Sequence, residues 1–197
     1  MLVLEENTPP AGYPVSLDEA KDHLKVPYND EDALIQTFIG AATNYAETHT
    51  RRALMERTFT YYLDKFPDVP TIELPKPKLS AVSSVKYYDI SDVLQTLASS
   101  KYGVDTVSEP GRIRLVEGEI WPDVKDRKLN AVQIAYTAGY INSWSIPPAI
   151  RTAVLLMVSH WFENREAVVV GPTGLRIKEV PQSANWLLDQ HRVMTFY

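Results

Sequence analysis

Apolar positions recur at helical spacing in two places, near the beginning and near the end of the chain, and alternate at strand spacing between them. Ser16-Leu17-Asp18-Glu19 reads as a capped helix start, with Ser16 covering the first free amides and Glu19 returning a bond to the Ser16 amide. Leu17, Ala20 and Leu24 continue the stripe, and Pro27 marks its end. A second helix starts at Asn29, with Asp30, Glu31 and Asp32 in the first turn, where the helix dipole favours negative charge. Its apolar face is wide: Leu34, Phe38, Ala41 and Tyr45 form one row, and Ile35, Ile39, Ala42 and Ala46 form another. The small residues Gly40, Ala41 and Ala42 predict a close helix approach.

From about Leu54 to Tyr140 the pattern is that of strands. Thr58–Leu63 is β-branched and aromatic, and prolines at 67, 70, 75 and 77 leave a short strand at Thr71–Leu74. Val82, Val85 and Tyr87 lead into a turn at Asp89–Asp92, with Val93–Leu97 on the return. Arg112–Leu115 alternates polar and apolar, as do Val132, Ile134 and Tyr136 with their neighbours. Five or six short strands at this spacing predict a small antiparallel sheet or barrel.

The helical period resumes at Pro147 and Pro148, both suited to a first turn. Ile150, Ala153, Val154, Met157, Val158, Trp161 and Phe162 follow in steps of three and four, and Leu155 and Leu156 widen the apolar surface almost all round. Such a helix is buried on most sides or lies at an interface. Asn164-Arg165-Glu166 closes it, Val168, Val169 and Val170 form an apolar run, and a last helix is predicted from Gln182 to about Gln190. Neither helical end has enough helices to enclose a core alone. The expected architecture is therefore α+β, with residues 1–52 and 141–197 forming a discontinuous helical core and residues 53–140 inserted as a β-rich subdomain.

Composition mainly excludes. The chain has 197 residues and no cysteine, which removes disulfides, thiolate nucleophiles and cysteine-ligated metals. The start, with no basic residue before Glu5, is not that of a signal peptide, and Ala153–Val158 is far short of the roughly 20 residues of a membrane span. A net charge of −5 argues against a protein that coats DNA. Gly171-Pro172-Thr173-Gly174 lacks the following Gly-Lys-Ser/Thr of a phosphate loop, and no Gly-x-Ser-x-Gly elbow exists. His23, His49, His160 and His191 show no paired ligand spacing; His160 with Glu163 is too few for a metal, and the acidic cluster at 30–32 lacks a calcium-loop pattern. No catalytic, cofactor or metal site is expected. Two alternatives stay open: a nucleic-acid-binding module stacking bases on Tyr87, Tyr88, Tyr102 or Tyr136, and an enzyme using carboxylates such as Glu117 or Asp123. The tyrosines also read as cross-strand packing, and Arg112 and Arg114 as a solvated face or as partners of Glu117 and Glu119.

Three runs carry a resemblance: Ala135-Tyr136-Thr137-Ala138-Gly139-Tyr140, then Ile146-Pro147-Pro148-Ala149-Ile150-Arg151-Thr152-Ala153, then His160-Trp161-Phe162-Glu163-Asn164-Arg165-Glu166. With Val15–Lys21, the acidic turn at 29–32, Arg51-Arg52 and Leu79–Val82, they resemble in order the head–tail connector (adaptor) proteins of long-tailed phages, prophages and gene-transfer agents. The resemblance covers nearly the whole chain. It implies a structural subunit of a virion neck, assembled in the host cytoplasm as a ring. The ring, dodecameric when mature, sits beneath the portal, seats the stopper or tail-completion protein, and leaves a channel through which DNA passes. It implies no cofactor, no catalytic residue and no membrane. Ring building uses a heterologous contact. The expected interface residues are Trp161, Phe162, Arg165, Val168, Val169, Val170 and Trp186, with the segment from Val168 to Gln182 as an arm facing the portal or a neighbour.

Overall fold

The computed structural model describes residues 3–164, 168–171, 174–177 and 181–194. The chain divides into two compact units: Gly12–Leu54 with Asn142–Arg192, and Met1–Ala11 with Met55–Ile141 and Val193–Tyr197.

The first unit is helical. α1 (Leu17–Leu24) is capped by Ser16, whose Oγ accepts from the Glu19 amide at 3.1 Å. The Glu19 carboxylate does not return to the Ser16 amide as the capping-box pattern predicts. It accepts instead from the Arg151 guanidinium at 2.5 Å, a charged donor that makes the stronger bond. α1 ends before Pro27, at Lys25, which adopts the left-handed conformation at φ 57°. Lys21 then ties the connection, with Nζ 2.6 Å from both Asn29 Oδ1 and Asp32 Oδ1.

α2 (Asp32–Thr50) begins on the last residue of its acidic run, so Asp32 lies in the first turn while Glu31 is the N-cap and Asp30 precedes it. Of its two apolar rows, Ile35, Ile39, Ala42 and Ala46 are fully buried, while Leu34, Phe38 and Tyr45 are half-buried. Gly40 faces Tyr13 rather than a helix, with the tyrosine hydroxyl 3.4 Å from where a Cβ would stand. Buried Glu47 accepts the Leu54 amide at 2.8 Å and so fixes the chain as it leaves the helix.

α3 (Pro148–Glu163) has Pro148 in its first turn, and Ile150, Ala153, Val154, Met157 and Val158 form its buried face. It packs against α1, α2 and α4 (Gln182–Asp189), with Ala184 and Leu188 as the buried side of α4. No helix among the described residues is long and apolar enough to cross a membrane.

The second unit is built of β1 (Val3–Glu6), β2 (Arg57–Leu63), β3 (Thr71–Glu73), β4 (Leu79–Tyr88), β5 (Leu94–Thr96), β6 (Tyr102–Asp105), β7 (Arg112–Leu115) and β8 (Val132–Ala138). They form an open five-stranded sheet in the order β1-β2-β8-β4-β5 and a three-stranded sheet in the order β3-β7-β6, all pairs antiparallel. Of the two expected forms, sheet or barrel, the strands take the open sheet. Residues 3–6 also differ from the expected helical role of residues 1–52. β1 pairs along the free edge of β2, satisfying backbone groups that would otherwise stay open.

β8 lies at the centre, and its alternate residues Val132, Ile134, Tyr136 and Ala138 are buried. Tyr136 stacks on its cross-strand partner Phe59 with ring centroids 5.6 Å apart, and its hydroxyl donates to the Pro75 carbonyl at 2.8 Å. Just beyond β8, Gly139 sits at φ 118°, and a Cβ there would stand 2.4 Å from the Met55 carbonyl oxygen. Only glycine allows that approach, which lets Glu56 donate its amide to the Tyr140 carbonyl at 2.9 Å.

Outside this unit, β9 (Val168–Gly171) and β10 (Gly174–Ile177) form a two-stranded antiparallel ribbon between α3 and α4.

Candidate assembly surfaces

Where α3 ends, Trp161 is half-buried, its ring tilted against Phe38 of α2 at a centroid distance of 6.3 Å. Phe162 beside it is also half-buried. The helix closes on Asn164, whose Nδ2 donates to the His160 carbonyl at 2.8 Å. Arg165 lies outside the described residues, as do the side chains of Val168, Val169 and Val170. The backbone of the valine run is that of β9, paired with Ile177, Arg176 and Leu175 of the same chain.

α4 is held to α2 by a row of polar contacts. The Tyr45 hydroxyl donates to Asn185 Oδ1 at 2.8 Å, and His49 Nε2 lies 2.7 Å from Asp189 Oδ1. Arg52 Nε donates to the His191 carbonyl at 2.6 Å. Trp186 points away from the buried Ala184 and Leu188, 70% exposed, beside a shallow groove of about 470 Å³ that Gln182, Ser183, Asn185 and Asp189 also line. Of the sequence-predicted residues, Trp186 is thus presented outward, Trp161 is shared with the core, and no ring contact joins the two among the described residues.

Further exposed groups come from the structure. Trp144, in the 3-10 turn before α3, is 81% exposed although the Arg151 guanidinium stands 4.5 Å from its ring centroid. Arg151 also donates to the Pro14 carbonyl at 3.2 Å, so the arginine that ties α3 to α1 also supports the tryptophan. The sequence signal was there, an aromatic residue among serines just before a helix start. On the β4–β5 hairpin, Ile90, Val93 and Leu94 are exposed.

The remaining tyrosine candidates are occupied by packing. Tyr87 meets Phe66 edge-on at 5.9 Å, and Phe66 stacks on Trp121 at 4.7 Å. Lys128 covers Tyr88, with Nζ 3.7 Å from the ring centroid. Tyr102 is half-buried, and that burial raises its hydroxyl above the usual tyrosine pKa. Among the described residues no group of three or more histidine, aspartate or glutamate side chains is placed to hold a metal ion.

The chain thus combines a helical unit that exposes Trp144 and Trp186 with a unit of antiparallel sheets. Residues 15–194 match the family model for the head completion protein (HCP), and the chain belongs to that family, within the head–tail connector class. Comparison with curated proteins gives no match. Among solved structures, a chain in the neck of an empty gene transfer agent (GTA) particle computed with C6 symmetry is 24% identical, with a TM-score of 0.78, covering 99% of this chain and 97% of that one. A chain of the native GTA virion is 23% identical with a TM-score of 0.77, and a chain of the native neck computed with C12 symmetry is 24% identical with a TM-score of 0.74. Each of these two also covers 99% of this chain and 97% of the other. At such identities the likeness establishes the fold.

Proposed function

We propose that the chain is a head–tail connector subunit that assembles as a ring in a virion neck, docks beneath the portal, seats the stopper or tail-completion protein, and leaves a channel for DNA. The observation that carries this reading is the family match over residues 15–194, joined to full-length likeness to neck chains of particles computed with C6 and C12 symmetry. The role is structural and not enzymatic, and it uses no cofactor. DNA passes through the ring without sequence-specific binding, in keeping with a net charge of −5.

Ring contacts of this kind join two different patches of the same chain. Trp186 suits one such patch, because an exposed tryptophan on a rigid helix brings a large apolar area at little entropic cost. Trp161 and Phe162 at the end of α3 extend the same proposal, together with Arg165, which lies outside the described residues. The arm from Val168 to Gln182, with its β9–β10 ribbon, reaches the portal or a neighbouring copy. An isolated two-stranded ribbon gains stability from being covered.

Negative-stain imaging of the purified protein, alone and with a portal, tests the reading. Rings, or a ring-shaped layer below the portal, are expected; a portal left bare at saturating protein would overturn it. Deleting residues 168–178 should leave a folded chain that no longer docks, and unchanged docking would remove the arm from the proposal. Duplex DNA should bind weakly even at low salt, whereas tight binding lost steeply with salt would indicate a nucleic-acid-binding module instead.

A further inference from the structure

The connection from β7 to β8, residues 116–131, has no regular element of its own and is long for such a segment, a feature of binding loops in compact units. It is tied down at several points. Trp121 stacks on Phe66 and donates its Nε1 to the Val69 carbonyl at 2.9 Å. Glu119 accepts from Lys101 at 3.0 Å, and the Asn130 amide donates to Asp64 Oδ1 at 2.8 Å. Lys125 donates its amide to the Tyr88 carbonyl at 3.0 Å and its Nζ to the Ile90 carbonyl at 3.3 Å. Lys128 reaches Asp92 at 2.6 Å while covering the Tyr88 ring. These two lysines fasten the loop to the tip of the β4–β5 hairpin.

The polar groups of the loop are thus turned to the protein, and its large apolar side chains are turned to water. Ile120 and Leu129 are 81% and 78% exposed, with Val69, Ile90 and Val93 exposed on the segments to which the loop is tied. This inverts the usual placement on a soluble surface. Because the ties hold the backbone, a partner that covers these side chains has little left to order.

The charges around this face are mostly acidic. The loop carries Glu117, Glu119, Asp123 and Asp126 against Lys125, Arg127 and Lys128, and the hairpin tip adds Asp89 and Asp92 with no base. Lys125 and Lys128 already serve the hairpin, while Glu117 and Asp123 make no hydrogen bond or ion pair among the described residues. Such a rim repels phosphates, which disfavours DNA, and it repels the same face of another copy. A purely apolar body would desolvate Glu117 and Asp123 without pairing them. The complement is a protein surface that is apolar at its centre and carries lysine or arginine at its edge.

We propose that the 116–131 loop and the β4–β5 tip form the seat for the tail-completion protein, which meets them with an apolar surface rimmed by basic residues. The seat rests on the ring reading above.

The test titrates portal-docked rings with the purified tail-completion protein of the same particle and reads capture by mass photometry. Ile120→Ser with Leu129→Ser should leave circular dichroism and ring formation unchanged and weaken capture by about tenfold or more. Glu117→Lys with Asp123→Lys should also weaken capture, and wild-type capture should fall as salt rises. Val107→Ser is the control, because Val107 is 90% exposed but precedes β7, whereas the loop follows it. Normal capture in either double variant, or an equal loss in Val107→Ser, would overturn the seat and leave the ring reading standing. Folded double variants that no longer form rings would overturn it in favour of a contact between copies. Wild-type rings that capture no tail-completion protein would overturn the seat together with the seating role. A wild-type chain that forms no ring alone or on the portal would overturn the ring reading and the seat with it.

Discussion

His49 and Asp189 face each other at 2.7 Å, joining α2 to α4 one turn beyond the contact of Tyr45 with Asn185. The imidazole also stacks on Tyr45 at a centroid distance of 5.9 Å, so one side chain is held from two directions. Because the Asp189 side chain is 54% exposed, water screens the pair. A double-mutant cycle with His49→Ala and Asp189→Asn should give a coupling of about 0.5–1 kcal/mol in urea unfolding. A coupling of several kcal/mol would mean the pair is far drier than its exposure implies.

Trp186 and Trp161 should separate assembly from stability. Trp186→Ala removes an exposed ring, so unfolding free energy should move by no more than about 0.5 kcal/mol, while ring formation or portal docking weakens by about 2 kcal/mol. Trp161→Ala removes the ring that packs on Phe38 and should destabilise the monomer by about 1–3 kcal/mol. Equal stability losses for the two would contradict their placement.

Gly139→Ala should destabilise the chain by about 3 kcal/mol, since the added methyl meets the Met55 backbone at a φ that only glycine adopts readily. Gly12→Ala is the control: nothing lies within 4 Å of its Cβ position, and the change should stay within about 0.5 kcal/mol. Thermal unfolding of both variants measures the contrast.

Asp105 gives a pH dependence with a definite sign. Hydrogen bonds from the Ser108 hydroxyl, the Ser108 and Val107 amides and Arg112 hold its folded pKa below the unfolded value of about 3.9. Its contribution is therefore complete above that value and is lost as pH falls through the folded value. The loss therefore sets in below about pH 4. Melting temperatures of wild type and Asp105→Asn should converge as the pH is lowered. Parallel curves would show that the turn around Ser108 does not depend on the charge.

Helix positions were readable wherever an apolar row ran for several turns, as in α2 and α3. Their ends were less so. The stop at Lys25 depends on a left-handed residue that is neither glycine nor asparagine, and Glu19 was drawn from its cap by Arg151, 132 positions away in sequence. The hairpin around Asp89–Asp92 was legible because Asp89 has a local task, accepting the Ser91 and Val93 amides at 2.9 and 3.0 Å. Strand β1 was not, because only two of its four residues are apolar and its partners lie more than fifty positions on. Among the surface residues, Trp186 was identifiable from its type and helix position. Trp144 was passed over because its support comes from Arg151, and Arg112 meets Asp105 rather than Glu117 or Glu119 because of the register of β6 with β7.

β8, the last strand of its unit, occupies the middle of the five-stranded sheet, and the helical unit likewise joins Gly12–Leu54 to Asn142–Arg192. Neither unit can therefore be completed while the chain is still short. On the ribosome, β2 and β4 must wait for Ala138 to emerge before they share a neighbour, and α2 must wait longer for α3. The faces that these later segments cover therefore stay open to other nascent copies for a time that translation speed helps to set.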